Sequence, residues 1–132
     1  MLARTWLATH LYALGSLSED YLGSTNGFAR YAVYDAVSRE ALGFSLPQIA
    51  TEGGLSSLRA EWRDASGVAQ QKQAEWIGAA YWAMPQTPTY FLAFNPWLLA
   101  NLLCDPAGNP VFEYGAFFDR NGAARPVVER AR

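Results

Sequence analysis

The chain of 132 residues contains one histidine, His10, and one cysteine, Cys104, so any acid-base or thiol chemistry has very few side chains to draw on. His10 has the only side chain that ordinarily titrates near neutrality, which makes it the default general base. Asp35 follows Tyr31 and Val33, and a carboxylate set among tyrosines in a cavity can be held protonated and act as a base. Tyr34 is the third residue able to supply a polar contact to a small ligand. Two of them also have a structural role to fill: His10 as a hydrogen-bonded helix-flank residue, Asp35 as a solvated or structural residue near a turn. Cys104 follows Leu102-Leu103, a setting in which a free thiol is expected to be buried and inert.

Other chemistry lacks the residues it requires. A metal centre needs several His, Cys or carboxylate ligands at matched spacing, and no such pattern occurs, so neither a metal nor a cofactor is expected. The stretch Thr51-Glu52-Gly53-Gly54-Leu55-Ser56-Ser57 is rich in glycine but matches neither nucleotide-binding spacing, and it reads as the entry to a helix. With a net charge of -2 and scattered arginines there is no basic stripe to neutralise phosphates, which sets nucleic acid aside. A lone cysteine cannot form an internal disulfide, so a disulfide-stapled secreted scaffold is excluded.

What the sequence has in excess is aromatic surface: 5 Trp, 7 Tyr and 7 Phe, with only 17% charged residues. Trp62 and Trp76 lie at the centres of apolar stripes and are expected to anchor the core. Ile77, Tyr81, Trp82 and Trp97 exceed what two amphipathic helices need to cover a sheet, and they form the candidate binding patch.

The elements positioning these residues follow from periodicity. Ala3, Leu7, Leu11 and Leu14 recur at spacings of three and four, giving a first helix over 2–14 with Trp6 and His10 on its flank. From Phe28 the period becomes two, and a hairpin is expected, with one strand from 28 to 35 and a second from 41 to 46 ended by Pro47. This hairpin, Tyr31-Ala32-Val33-Tyr34-Asp35 through Ala41-Leu42-Gly43-Phe44, resembles the central hairpin of the acetyl-coenzyme-A-dependent acetyltransferases. The family's pyrophosphate-binding Arg/Gln-x-x-Gly-x-Gly/Ala loop is absent, so no activity carries over.

Leu55, Leu58, Trp62 and Ala65 give a helix up to Gly67, and Ala69, Gln73, Trp76, Ala80 and Ala83 a second over 68–84. Tyr90 to Phe94 is a short apolar run expected as a buried central strand. Asn95 and Pro96 then start a short helix from Trp97 to Leu103. Residues 111–118 and 125–129 form a last hairpin around Asn121-Gly122.

The expectation is one α+β domain over 1–132, with a largely antiparallel sheet of about four to five strands covered by helices. No run is long enough to span a membrane, the N-terminus lacks the form of a secretory signal, and a cytoplasmic location is expected. Nine Arg to one Lys and 22 Ala fit a GC-rich bacterial gene. The function expected is a non-catalytic protein-binding module of the inhibitor, immunity or adaptor kind. Its partner is another protein or a second copy in a homodimer. The alternative is a small acid-base enzyme or cavity protein taking a small apolar ligand.

Overall fold

A computed structural model describes residues 5–13, 21–55, 67–101, 103–109 and 115–130. Its centre is three strands, β1 (Leu7–Ala13), β2 (Gln48–Leu55) and β3 (Phe91–Phe94), all parallel and ordered β1-β2-β3. Helix α1 (Tyr31–Leu42) connects the first pair, α2 (Gly67–Ala83) the second, and a short α3 (Pro126–Arg130) closes the described chain. Two crossovers that advance the same way across a sheet with the usual right hand place both helices on one face. One core accordingly joins Leu11, Ala50, Phe91 and Phe94 of the strands to Ile77 and Ala80 of α2 and Val127 of α3.

Aromatic packing fixes this inner face. Phe28, in the 3-10 turn Phe28–Arg30 that precedes α1, meets Phe91 and Phe94 edge to face at 5.8 and 5.3 Å. Tyr31 stacks on Phe91 at 4.8 Å, and Trp76 on Tyr21 at 5.1 Å. Each such pair adds about 0.5–1.5 kcal/mol beyond burial. The Tyr21 hydroxyl donates to the Leu11 carbonyl at 3.0 Å, tying the segment after β1 back onto the strand.

The fold is therefore α+β, but its three-stranded, all-parallel open sheet replaces the expected antiparallel sheet of four to five strands. Four elements account for the difference. Residues 7–13 are a strand, because Thr9, Leu11 and Ala13 also satisfy a period of two and all point inward. Residues 31–42 are a helix closed by Gly43 at φ 81°, whose N–H reaches the Arg39 carbonyl, so the hairpin and its likeness to the acetyltransferases fall together. Gly53-Gly54 lies inside β2, where Thr51 forms a bulge against Thr9 and His10 of β1. Residues 97–101 are not helical: Trp97 N–H bonds the Gly53 carbonyl, the Trp97–Leu98 peptide is cis, and Ala100 bridges Phe118.

Two elements agree. The helix expected over 68–84 is α2, and the run ending at Phe94 is β3, although β3 is an edge strand and not a central one. The Asn121-Gly122 turn forms, closed by Asp119 Oδ1 accepting from the N–H groups of Asn121 and Ala123, and Ala124 bridges Phe118 antiparallel, but from Pro126 the return arm is α3. The helix expected around Trp62, and residues 111–114 of the last hairpin, lie outside the described residues.

Candidate functional site

Because side chains alternate along a strand, the residues between the core positions project from the opposite face of the sheet. On β1 these are Ala8, His10 and Tyr12, on β2 Ile49 and Glu52, and on β3 Ala93, which pairs with Ile49, with Leu92 beside it as the extra residue of a bulge opposite Gln48 and Ile49. Leu92 is 56% exposed, Ala8 and His10 are exposed, and Ile49, Glu52 and Ala93 are half-buried. All-parallel sheets are ordinarily covered on both faces. Here the three helices contribute to the core on one face, and apolar side chains of all three strands remain accessible on the other.

A polar cluster sits at one side of this face. Register places His10 beside Glu52 and Tyr12 beside Gly54 on the neighbouring strand. The Tyr12 hydroxyl donates to Glu52 Oε2 at 2.7 Å, and His10 Nδ1 lies 3.6 Å from the same oxygen. Burial, followed by the Glu52 carboxylate, pushes the Tyr12 phenol above its usual range, so it stays a protonated donor. The carboxylate faces Nδ1, which leaves Nε2 on the far side of the ring. Trp97 meets the Tyr12 ring edge to face at 6.4 Å and walls the cluster on its far side. The arrangement can accept or donate a proton at the imidazole and can hydrogen-bond a polar group set down beside it.

The candidates separate in space. His10 projects from the open face, whereas Asp35 and Tyr34 lie on α1, whose neighbouring Phe28 and Tyr31 pack on the opposite face. Asp35 is 7% exposed and its Oδ2 is 3.1 Å from Arg39 Nε, one helical turn on. Tyr90 shares this end of the fold, its phenol pushed up by burial and then by the Asp35 carboxylate. The Tyr34 carbonyl accepts from the Ser38 hydroxyl at 2.9 Å. These contacts give Asp35 and Tyr34 structural tasks.

The proposed aromatic patch is likewise divided. Ile77 is core, at 1% exposure, Tyr81 packs edge to face on Phe94, and Trp97 belongs to the polar cluster. Only Trp82 stands free of the fold, at 78% exposure. Periodicity puts Tyr12 in a helix and Glu52 at the entry to one, so neither stands out as a partner of His10. Their signal was the i, i+2 pair His10 and Tyr12, which places both on one face of a strand.

Cys104 is exposed, with Arg120 Nη2 at 3.6 Å from its sulfur, and not buried as its leucine neighbours suggested. Among the described residues no three His, Cys, Asp or Glu side chains converge as a metal site. An open groove of about 460 Å³ runs between α2 and α3, lined by Gln71, Ala74, Pro126, Glu129 and Arg130, away from His10 and Asp35. No described helix is long and apolar enough to cross a membrane. No protein-family model, no curated protein and no solved structure matches the chain.

Proposed function

We propose that the protein is a non-catalytic protein-binding module that docks its partner on the open face of the sheet. The observation that carries this reading is the accessible apolar row of Ala8, Ile49 and Ala93 across three parallel strands, with exposed Leu92 of the β3 bulge beside it, in a kind of sheet that normally has both faces covered. His10 and Glu52 at its margin supply the polar contacts that set register and exclude wrong partners, as rim residues do. Trp82, exposed on α2, adds a hot-spot residue type outside this face.

A photo-crosslinking amino acid at Leu92, in cells of the source organism, tests the reading. Discrete adducts that disappear when Ile49 is changed to Asp are expected, with none from the same probe at exposed Asn109. Adducts no more abundant from position 92 than from 109 overturn it.

A second reading rests on the shared oxygen of Glu52. The Tyr12, Glu52 and His10 array would suit proton transfer to a small ligand lying against Trp97. Imidazole NMR signals of His10 that move on adding a fragment library, and fail to move in Glu52→Gln, would favour it. Signals unmoved by every fragment would remove it.

A further inference from the structure

Helix α1 packs Tyr31 and Tyr34 on the core, yet its outward side is largely apolar as well. The residues it buries are Asp35 and Ser38, while Ala32, Val33, Ala36, Val37 and Ala41 are exposed. Val33 is 42% exposed and Val37 58%, and Phe44, just past the helix end, is 45% exposed. Of the polar inner positions, Asp35 Oδ2 lies against Arg39 and the Ser38 hydroxyl donates to the Tyr34 carbonyl, while Asp35 Oδ1 is buried without a hydrogen-bond partner.

We propose that this outer stripe is the interface of a homodimer in which α1 packs antiparallel against α1 of a second copy. The charges at its ends select that occupant. Arg30, half-buried with its Nε donating to the Thr25 carbonyl, precedes the stripe, and exposed Glu40 lies near its other end beside Arg39, whose charge is matched by Asp35, so the stripe starts with a cation and finishes with an anion. About a two-fold axis between Ala36 and Val37, Val33 faces Glu40 of the second copy and Ala32 faces its Ala41. Arg30 then falls within about one helical turn of the second copy's Glu40, and the mirror pair forms at the other end. A parallel arrangement would place like charges together. Alanine at 32, 36 and 41 permits an axis separation of roughly 8 Å, and antiparallel helix dipoles attract weakly.

The helix has 12 residues and is roughly 18 Å long, which limits the contact to the small, transient class of interface. The dimer is therefore expected to have a dissociation constant on the order of 10–100 µM. This inference is independent of the sheet-face reading, since the two surfaces do not share a residue.

Sedimentation equilibrium from 10 to 500 µM of the full chain tests it. The wild type is expected to dimerise, and Val37→Glu to weaken association at least tenfold with an unchanged circular dichroism spectrum. Glu40→Arg is expected to weaken it at least threefold, and Arg30→Glu with Glu40→Arg to restore it to within about twofold. Should Val37→Glu fail to fold, the Glu40 and Arg30 exchange carries the test alone. A monomer at 500 µM, a dimer that persists in both single variants, or a double variant no stronger than Glu40→Arg overturns the proposal. Loss of the dimer in Trp82→Glu or Leu92→Glu, with Glu40→Arg unaffected, assigns it to another surface and likewise overturns it.

Discussion

Replacing Gly53 with alanine tests the sheet at its centre. Gly53 lies on β2 between both neighbours, and a Cβ there would run into Phe94 Cε2 of β3, with Cζ of the same ring at 3.1 Å and the Leu11 carbonyl of β1 at 3.0 Å. Neither obstacle yields easily. Phe94 is 5% exposed and meets the Phe28 ring edge to face at 5.3 Å, and the Leu11 carbonyl accepts from Tyr21. Gly53 does not have a positive φ, so alanine suits the backbone, and the smaller entropy of the unfolded chain would by itself stabilise the variant by about 0.4–1 kcal/mol. Overpacking a filled core costs about 1–3 kcal/mol, and with a displaced ring and a displaced backbone carbonyl the upper part of that range applies. A net loss of about 1–2 kcal/mol follows, which at a urea slope of about 1–2 kcal/mol/M lowers the unfolding midpoint by on the order of 1 M. Gly78→Ala serves as the control, because its nearest obstacle, Arg130 Cγ at 2.7 Å, belongs to a flexible exposed side chain. A Gly53→Ala midpoint at or above that of wild type would refute the parallel register that brings Leu11 and Phe94 to the same glycine.

Trp76→Ala removes a half-buried indole stacked on Tyr21, and is expected to destabilise by about 2–4 kcal/mol; chemical denaturation within error of wild type contradicts the packing. Stability is expected to fall as pH rises above about 10. Burial pushes the phenols of Tyr21 and Tyr12 up in the folded chain, so the unfolded state gives up its protons first and unfolding becomes favoured, by at most about 1.4 kcal/mol per tyrosine per pH unit. Tyr21→Phe should flatten that decline, and an equally steep decline would assign it elsewhere. Cys104, exposed beside Arg120, is expected to react with an aromatic disulfide in the native protein as fast as in urea; slow labelling that tracks unfolding would place it in the interior.

The sequence made α2 legible because a long segment with helical spacing ends at Pro85, and β3 because a short apolar run lies between Pro88 and Asn95. It misled where two periods coexist. Leu7, Leu11 and Leu14 recur as a helix would have them, yet Leu7, Thr9, Leu11 and Ala13 alternate equally well, and the partner strand decides between the two patterns. In 31–42 the aromatic and β-branched content favours a strand, and the apolar stripe that would announce a helix faces solvent with Asp35 on the opposite side. The parallel arrangement could not be read at all, since strand direction is set by the crossovers and not by any strand's own residues. His10 was found as a titratable residue, but its partners Glu52 and Tyr12 come together only through the pairing of β1 with β2.

The open face of the sheet is tested most directly by solvent paramagnetic relaxation of methyl-labelled protein at low micromolar concentration. Strong enhancement is expected at the Leu92 methyls, intermediate enhancement at Ile49, and almost none at Ile77, which is 1% exposed. Relaxation of Leu92 and Ile49 as slow as that of Ile77 would mean that the rest of the chain covers this face, and would contradict the claim that it awaits a partner.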